Sequence, residues 1–441
     1  MNKLGQCFRA AICIISLLFL TQADAANTTL DKGNTVWVMV AGMFVMLMCI
    51  PGLAMFYGGF IRSKNVLSIF AQMFISAGFI GVLWVVYGYS LAVDTTGMVE
   101  GKYNLHSFIG TFDKIFLNGI NLAHVNELAI PDGVLIFFLM TFAIITPAIV
   151  IGGFAERMKF SASLLFLIIW FTFCFIPMFH MVWGGPGALM HNWGALDFAG
   201  GTAVHMNAGL AALVASIMVG KRKGYLKVAM PPHNVTLALT GAGILWVCWF
   251  GFNIGSGLTV NENVGTIMFC TQVAACAGIM GWVVVEMLHR KKPSALGAAS
   301  GALAGLVGIT PACAFVGAMG AICIGFITAI CCYYAVTTIK HKFGYDDSVD
   351  VFGLHGIGGI VGAMLTGIFA SPDLGGNVAD FNMAKQLWAQ FLSVIFTIIY
   401  CTSISWLILK ILDKTIGLRA SDSDEEMGLD IAHYNENAYN N

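Results

Sequence analysis

The sequence predicts an all-α membrane protein whose helices cross the bilayer many times. Hydrophobic residues make up 58% of the 441 residues and charged residues only 10%, whereas a soluble domain averages roughly 25% charged residues. A soluble protein of this length would expose more surface than so few charges can cover. Long apolar stretches also recur along the chain, many with the roughly 20 residues that one membrane-spanning helix requires.

The same composition excludes several other classes of protein. The 33 Phe and 10 Trp rule out a disordered chain, and 22 Lys and Arg balanced by 23 Asp and Glu argue against a nucleic-acid partner. The twelve cysteines lie mostly in apolar runs without a C-x-x-C pair, so they are interpreted as small hydrophobic side chains and no metal or cofactor is predicted. An enzyme is the least favoured class, because neither a nucleophile–base pair nor a phosphate-binding loop is recognisable.

The first 25 residues form a segment of their own. Lys3 and Arg9 give a positively charged start, an apolar run follows over residues 10–20, and Ala23-Asp24-Ala25 has the small-residue pattern of a cleavage site. This is the arrangement of a secretory signal peptide, whose apolar run is too short for a membrane span. We therefore expect a mature chain that begins at Ala26, with its N-terminus outside the cytoplasm.

Eleven apolar stretches follow, and each is predicted to form one transmembrane helix. They cover approximately residues 35–58, 67–92, 130–154, 160–183, 197–220, 234–256, 264–288, 294–312, 314–338, 351–370 and 386–412. The tenth is short and rich in glycine, and only the segment 310–313 separates the eighth from the ninth. The chain thus divides into a membrane domain over residues 26–412 and a cytoplasmic C-terminal tail over residues 413–441.

Basic residues support this count because they concentrate in alternate connections. Of the 22 Lys and Arg residues, two belong to the signal peptide, 16 follow odd-numbered stretches and four lie on the opposite side. Cytoplasmic loops carry the excess of Lys and Arg in membrane proteins. The pattern predicts an N-terminus outside, a C-terminus in the cytoplasm and a location in the inner (plasma) membrane.

The fifth and tenth stretches share a pattern that suggests an internal repeat. Asp197 begins the fifth and is followed by His205 eight residues later, while Asp350 begins the tenth and precedes His355 by five residues. Each is the fifth stretch of a block of five, and two blocks with an odd number of spans must be inverted in the membrane. We therefore predict an inverted repeat of helices 1–5 and 6–10, as found in transporters with a site near the midplane. The alternative is chance similarity between two Gly-rich helices.

His205 and His355 are the candidates for a site at the centre of the bundle. Ionisable residues inside a span are costly and usually face the bundle interior. A neutral imidazole can both donate and accept a hydrogen bond and can pass a proton near neutral pH. A single buried histidine would more often be structural, but the repeat would bring these two together at the bundle axis.

Each of the two aspartates has a structural interpretation. Asp197 lies at the outer start of its helix, where a helix N-cap is the simpler interpretation and a direct role in orienting or deprotonating a substrate is the alternative. Asp350 lies at the cytoplasmic start of the tenth stretch, and there the N-cap is favoured.

Aromatic side chains lie near the outer ends of several spans. Phe142 is in the third, Trp183 ends the fourth, and Trp249 and Phe252 approach the end of the sixth, followed by Ser256. Aromatic residues at such depths commonly anchor helices at the membrane interface. The alternative is a cation site, because ring faces attract a small cation by about 0.5–2 kcal/mol each and a hydroxyl adds an acceptor.

Together these residues favour a small substrate that can carry or lose a proton. A bare cation cannot cross an apolar passage cheaply. A protonated amine can leave its proton outside and cross as a neutral molecule, whereas a potassium ion of similar size cannot. Deprotonation would then be the filter, and the two histidines would hydrogen-bond the neutral form.

Several sequence motifs resemble the Amt/MEP/Rh family of ammonium transporters, from about residue 33 to the end of the chain. The matching segments are PGLAMFYGG from Pro51, LWVVYGYSLA from Leu83, FAER from Phe154, HMVWGG from His180, GALDFAGGTAVHMNA from Gly194, WFGFNIGS from Trp249, DVFGLHG from Asp350 and GLR from Gly417. The family fold is an eleven-helix protomer with a pseudo-twofold relation between helices 1–5 and 6–10. The resemblance further implies a homotrimer with one pore in each protomer.

The resemblance also implies a role for each outer residue. Phe142, Trp183 and Ser256 would form an outer ammonium recruitment site with Trp249 beside it. Phe142 and Phe252 would form a stacked gate below that site.

The deeper residues would serve the passage itself. His205 and His355 would be the paired pore histidines of the family. Asp197 would be a carboxylate beneath the recruitment site that transport needs although it does not touch the substrate.

The end of the tail, GLDIAHYNENAY from Gly428, resembles the family segment that helps to bind PII-type regulatory proteins. The family usually has His-Gly before the Glu, where this chain has Tyr434-Asn435, with His433 one place earlier. The loss of that glycine is expected to alter a turn. The alternative interpretation is a solvated acidic tail containing Asp422, Asp424, Glu425 and Glu426.

The sequence thus predicts an ammonium channel or transporter. Ammonium, or its analogue methylammonium, would bind outside, lose its proton near Phe142 and Asp197, and cross past the two histidines as ammonia; proton co-transfer is left open. An ammonium sensor that signals through a PII-type partner and an Rh-like neutral gas channel are the alternatives. The predicted partners are the lipid bilayer, two further copies of the chain and a PII-type protein.

Overall fold

A computed structural model describes residues 28–439, and over this range the chain is helical apart from loops and two isolated β-bridges. The signal peptide predicted for residues 1–25 lies outside the described residues. Ten helices in the described range are long and apolar enough to cross a membrane, so this is a multi-pass membrane protein. A shorter apolar helix lies between the seventh and eighth of these ten. In chain order the eleven helices are α1 (Lys32–Phe60), α2 (Ser63–Val93), α3 (Asp132–Phe154), α4 (Phe160–Trp183), α5 (Gly201–Val219), α6 (Val235–Gly255), α7 (Val264–Arg290), α8 (Ala295–Ile309), α9 (Ala318–Phe343), α10 (Phe352–Phe369) and α11 (Met383–Thr415).

Each helix coincides with one of the predicted stretches, but α8 is shorter than predicted. It has 15 residues, which corresponds to about 22 Å of helix, less than the roughly 30 Å thickness of the hydrocarbon core. Pro311 follows two residues after the end of α8 and cannot donate a helical hydrogen bond. The eighth stretch therefore forms an apolar helix that is shorter than the other ten.

The two blocks of five helices pack in matching ways, as the predicted repeat requires. Helix α3 packs on α1, α2 and α5, and α8 packs on α6, α7 and α10. Helices α5 and α10 each begin with a π-helical turn, Gly201–Met206 in α5 and Phe352–Gly356 in α10, and each turn contains one of the two histidines. They start at opposite ends of the bundle, because the segment before α5 contacts the end of α4 and the segment before α10 contacts the connection after α5.

Helices α5 and α10 cross in direct backbone contact. A Cβ atom on Gly209 would lie only 2.2 Å from the backbone nitrogen of Gly356. Small residues permit such an approach between helices in a membrane, and any larger side chain would force the helices apart. The crossing places His205, one turn before Gly209, beside His355.

The connections after α1, α3, α5 and α9 meet at one end of the bundle, in agreement with the predicted alternation of loops. The buried guanidinium of Arg222 lies 2.8 Å from Asp346 and 3.1 Å from Glu156, and Arg62 lies 2.9 Å from Glu156. Burial by itself would raise the pKa of Glu156, but the charges of Arg222 and Arg62 outweigh it and lower the pKa. These charges therefore pair with one another and hold four connections in fixed relative positions.

The tail packs against this same end of the bundle. The Asp430 carboxylate accepts hydrogen bonds from the backbone amides of Leu67 at 3.0 Å and Ser68 at 2.7 Å, in the first turns of α2. The backbone amide of Leu429 donates to the side chain of Asn65 at 2.8 Å. A residue near the end of the chain thus satisfies amides that the start of α2 leaves without helical partners.

The acidic part of the tail is only partly solvated. Asp422 and Glu426 expose 81% and 72% of their side chains, but Glu425 is buried and accepts a hydrogen bond from the Lys223 amide at 2.7 Å. At the position of the missing glycine the backbone takes a conformation that glycine also adopts. Asn435 takes the left-handed conformation, with a φ of 54°, and asparagine is one of the few residues that adopt it readily.

Large apolar side chains cover much of the outer surface of the helices. Phe74, Val82, Met280 and Ile399 are each at least half exposed. An apolar surface of this extent on a water-soluble protein would mark an interaction site. On this bundle it is suited to contact lipid chains or neighbouring subunits.

Candidate functional site

A cavity of about 370 Å³ opens at the end of the bundle where α4 and α6 end. The predicted residues Phe142, Trp183 and Ser256 line it, together with other apolar and aromatic side chains. The Ser256 hydroxyl donates to the Phe252 carbonyl at 2.8 Å, so its oxygen retains lone pairs that can accept a hydrogen bond. Within the described chain no charged side chain lines this cavity. It offers ring faces and the hydroxyl oxygens of Ser256 and Thr95 to a small cation.

Trp183 is held in place by contacts on both of its sides. Its ring meets Phe142 edge-on, with centroids 6.0 Å apart, and Phe179 edge-on at 4.9 Å. Its indole N–H donates to the backbone carbonyl of Asp197 at 2.9 Å. Trp183, which was predicted to lie at the outer face, is therefore oriented by the segment that precedes α5.

Phe142 and Phe252 close the floor of the cavity. Their rings are stacked, with centroids 4.4 Å apart and an interplanar angle of 27°. Both side chains are almost fully buried. A hydrated ion cannot pass between two stacked rings, so any substrate must cross this point without its water shell and after a movement of the rings.

The two histidines lie directly below this stack. The ring of His205 stacks on that of Phe252, with centroids 5.6 Å apart, and its Nδ1 lies 3.2 Å from Nδ1 of His355. A void of about 10 Å³ adjoins both rings, close to the roughly 10–15 Å³ needed by one water-sized molecule. The predicted pairing of His205 and His355 is thus present in the geometry.

The Nδ1–Nδ1 contact determines how protons are distributed over the neutral pair. Only one of the two Nδ1 atoms can carry a proton, because two N–H groups would repel each other at this distance. The histidine that donates has a lone pair on its Nε2, and the one that accepts has a proton on its Nε2. The pair therefore presents one hydrogen-bond acceptor and one donor on its Nε2 atoms.

Trp249 lies deeper than predicted. The sequence placed it beside the outer recruitment site, but it lines the void next to the histidines, and its ring stacks on His205 with centroids 5.3 Å apart. The reason is helical geometry, because Trp249 precedes Ser256 by seven residues, or about 10 Å along α6. Its indole N–H donates to the hydroxyl of Thr310 at 3.0 Å. Thr310 was not predicted as a site residue. The one feature of the sequence that could have drawn attention to it is its position directly before Pro311.

Asp197 has the geometry of an N-cap for α5. Its carboxylate accepts hydrogen bonds from the backbone amides of Gly200, Gly201, Thr202 and Ala203 at 2.7–3.2 Å, and from the Thr202 hydroxyl. Gly200 makes this possible with a φ of 114°, a conformation that glycine adopts without strain. Both oxygens are occupied by donors from the chain, which favours the structural interpretation of Asp197 over direct contact with a substrate.

The corresponding residue at the start of α10 is Asp347, not Asp350 as predicted. The Asp347 carboxylate accepts the Phe352 amide at 2.7 Å, whereas the Asp350 carboxylate pairs with Lys340 at 2.7 Å. The prediction took the aspartate nearest to the helix, but that residue has a left-handed φ of 62°. Asp347 precedes His355 by eight residues, the same spacing that separates Asp197 from His205. This shared spacing was the signal that sequence reasoning overlooked.

Residues 28–439 contain no group of three or more His, Cys, Asp or Glu side chains arranged to hold a metal ion. The site consists of aromatic rings, the hydroxyls of Ser256 and Thr95, and two imidazoles. It can bind a small molecule by ring faces and hydrogen bonds.

Comparison with known proteins assigns the chain to a family. A sequence model described as the Ammonium Transporter Family matches residues 36–439. The chain is 44% identical over 431 residues to an ammonium transporter of Aquifex aeolicus (strain VF5), covering 97% of this chain and 98% of that protein. It is 41% identical over 414 residues to an ammonium transporter of Bacillus subtilis (strain 168), and the match covers 93% of this chain and 99% of that protein.

Solved structures agree with the sequence comparison. A structure named sensor Amt protein superposes with a TM-score of 0.84 at 29% identity, covering 91% of this chain and 98% of that one. The crystal structure of Saccharomyces cerevisiae Mep2 superposes with a TM-score of 0.80 at 29% identity, covering 90% and 92%.

Proposed function

The chain belongs to the ammonium transporter family, and from this premise we propose that it takes up ammonium at the outer cavity and conducts it past His205 and His355 as ammonia. The observation that carries the proposal is the column of stacked rings, Phe142, Phe252 and His205, directly below the cavity. A passage sealed by rings and followed by imidazoles suits a neutral molecule far better than a cation.

Ammonium first binds among Phe142, Trp183 and Ser256. The ring faces attract the cation by about 0.5–2 kcal/mol each, and the Ser256 oxygen accepts one of its N–H groups. Potassium has a similar size but cannot donate a hydrogen bond to Ser256. The cavity therefore concentrates ammonium without a carboxylate that would hold it too tightly.

Ammonium then loses its proton at the floor of the cavity, beside Phe142 and above the Asp197 cap. One N–H bond breaks, and the proton passes to water in the outer cavity. Moving a charge through the apolar passage costs at least a few kcal/mol, and ammonia avoids this cost. The donor and acceptor Nε2 atoms of the histidine pair hydrogen-bond the ammonia as it passes. Ammonia is protonated again in the inner solution.

The same pair supplies a route for the released proton. A proton that binds the free Nε2 of one histidine allows its Nδ1 proton to pass to the other ring, whose own Nε2 proton then leaves on the far side. Transport is electrogenic if this relay operates at the rate of ammonia passage.

Electrical recording on reconstituted vesicles tests this function. Addition of ammonium is expected to produce an inward current, because ammonium can separate into ammonia and a proton and both can cross. The same amount of potassium should produce no current, because a potassium ion cannot shed its charge to pass the apolar passage. Methylammonium uptake by cells that carry this protein alone supplies a second measure. Ammonia flux without any current would reject the proton relay while leaving conduction of ammonia intact, and no flux of either kind would reject the transport function.

In its membrane setting the chain is proposed to work as a homotrimer in the inner membrane. The exposed apolar side chains of the helices suit contacts with lipid and with neighbouring protomers. The mature N-terminus lies outside and the tail lies in the cytoplasm, as the distribution of basic residues favours.

A PII-type protein is the proposed cytoplasmic partner, because the tail segment from Gly428 resembles the family's binding segment. Asp430 keeps this segment against the start of α2. Replacement of Asp430 by alanine is therefore expected to weaken capture of a PII-type protein by the purified transporter by tenfold or more. Replacement of the exposed Glu426 is the control, and equal capture by both variants would contradict the proposal.

Sensing is the second candidate function, favoured by the likeness to the structure named sensor Amt protein. Methylammonium uptake separates the two. A protein that only senses would fail to accumulate methylammonium in cells that lack other transporters.

A further inference from the structure

We propose that Asp347 is the inner proton-binding group of this protein: it receives the proton that leaves the histidine pair and releases it to water at the inner end. This assignment rests on the proposed proton relay through His205 and His355. It makes the inner carboxylate, and not Asp197 at the outer end, the one that binds and releases protons.

The first support is the relation between the two aspartates. Asp197 and Asp347 each precede a pathway histidine by eight residues, and each accepts backbone amides at the start of the helix that carries this histidine. The inverted repeat therefore provides one carboxylate at each end of the histidine pair.

The second support is the difference between these two carboxylates. Both oxygens of Asp197 accept hydrogen bonds, and five donors of the chain surround them. Protonation of Asp197 would break at least one of these bonds. Asp347 uses Oδ2 for the Phe352 amide, but its Oδ1 finds no hydrogen-bond partner anywhere in the described part of the chain. Asp347 can therefore bind a proton on Oδ1 and still cap its helix with Oδ2.

The third support is that, among residues 28–439, no cationic side chain forms an ion pair with the Asp347 carboxylate. Its side chain is fully buried. The ammonium group of Lys340 donates to the backbone carbonyl of Asp347 at 2.6 Å, and its ion pair is with Asp350. A buried carboxylate without an ion-pair partner favours its protonated form.

The charged groups around Asp347 act in opposite directions. Burial and the charge of Asp350 raise the pKa of Asp347, and Lys340 lowers it, with the result that the pKa is raised to about 6. The phenol groups of Tyr57 in α1 and Tyr345 in the preceding segment also face this carboxylate.

The neighbouring charges are already paired or bonded. Asp346 is neutralised by Arg222 at 2.8 Å. The buried guanidinium of Arg157 donates to the Ser348 hydroxyl at 2.7 Å and to backbone carbonyls. Asp347 is thus the carboxylate of this region that is free to change its protonation state near neutral pH.

The proposed proton transfer from the histidine pair to Asp347 needs no reactant other than water. An N–H bond of the protonated histidine pair breaks, and the proton passes through water to Oδ1 of Asp347, where an O–H bond forms. Phe352, whose amide donates to Asp347, precedes His355 by three residues, which is less than one helical turn. The O–H bond then breaks toward water at the inner end, and the carboxylate is restored.

Asp347→Asn tests the assignment, because asparagine retains an acceptor for the Phe352 amide but cannot bind the proton. In vesicles with the inner end of the protein facing the lumen, we expect the ammonium-evoked current to fall at least tenfold. Ammonia flux should persist and should now make the vesicle interior more alkaline, because ammonia arrives without its proton. Asp413→Asn is the matched control, because Asp413 is an exposed carboxylate near the end of α11, and this variant should keep the current.

The wild-type protein should also depend on internal pH in a defined direction. Asp347 accepts a proton only as a carboxylate, so the current should be full well above pH 6 and should fall as the internal pH drops below about 6. Asp347→Glu should restore the current with an altered pH midpoint. A merely structural role would change neither the midpoint nor the ratio of current to ammonia flux.

Two results separate the possible failures. A wild-type protein that conducts ammonia without current overturns the relay and the role of Asp347 with it. A wild-type protein with current, and an Asp347→Asn variant with the same current and pH dependence, overturns the role of Asp347 alone. If the asparagine variant does not fold, Asp347→Ser provides the same test, because serine also caps helices well and cannot bind the proton.

Discussion

Replacement of His205 by alanine is expected to turn a selective ammonium pathway into one that also conducts potassium. The imidazole fills the passage between Phe252 and Trp249, and its Nδ1 contacts His355 at 3.2 Å. Its removal enlarges the void of about 10 Å³ and leaves room for water beside the remaining histidine. A cation could then keep part of its hydration shell where the wild type requires a neutral molecule.

We expect the ratio of ammonium to potassium flux to fall by at least about 100-fold, which corresponds to about 2.7 kcal/mol. The measurement is a comparison of ammonium and potassium currents in vesicles at matched protein content. His289→Ala is the control, because His289 lies at the end of α7 and contacts Tyr333 rather than the passage. Undiminished exclusion of potassium in the His205 variant would show that the need for a neutral molecule at the histidine pair is not the filter.

Replacement of Asp197 by alanine is expected to abolish transport and to lower the stability of the whole outer site. The change removes the acceptor for four backbone amides and the Thr202 hydroxyl at the start of α5. Each buried donor left without a partner costs about 1–3 kcal/mol. We expect a decrease of about 3–4 kcal/mol in the free energy of unfolding and displacement of Trp183, whose indole is bonded to the Asp197 carbonyl.

Thermal unfolding of the purified protein and ammonium flux in vesicles would check both effects. Asp31→Ala is the matched control, because Asp31 is an exposed N-cap of α1 whose carboxylate accepts the Asn34 amide at 2.8 Å. Its loss should cost about 1 kcal/mol. The loss of unfolding free energy in Asp197→Asn should lie between the losses in Asp197→Ala and Asp31→Ala, because the asparagine amide has one acceptor oxygen where the carboxylate has two. An Asp197→Ala variant with normal flux would refute a supporting role for this residue.

Most of the helical framework could be predicted because the bilayer imposes simple rules on the sequence. A span must be apolar over roughly 20 residues, and basic residues mark the cytoplasmic connections. Both rules act on residues that are neighbours in the chain, and all eleven predicted stretches are helices in the structure. The shortened α8 escaped prediction because the apolar composition continues past Ile309, although the helix does not.

The residues of the site were less predictable where depth or exact partners mattered. Trp249 and Ser256 both belong to the end of α6, yet they lie two turns apart, and only the packing of α6 on α8 shows that Trp249 meets Thr310 and His205. The cap of α10 was assigned to Asp350 because it is nearest in sequence. The chain turns at Asp350, and the backbone amide of Phe352 donates its hydrogen bond to Asp347 instead.

The sequence by itself determined that this is a bundle of apolar helices with two histidines in an internal repeat, because hydrophobicity and spacing are local properties of the chain. Only the tertiary structure decided which groups are free to act. The crossing of α5 and α10 at Gly209 and Gly356 brings the two imidazoles within 3.2 Å of each other. The same structure occupies both oxygens of Asp197 and leaves Oδ1 of Asp347 without a partner among the described residues. Two carboxylates at the same spacing from a histidine therefore differ in their chemistry, because the availability of a lone pair depends on donors that folding brings from elsewhere.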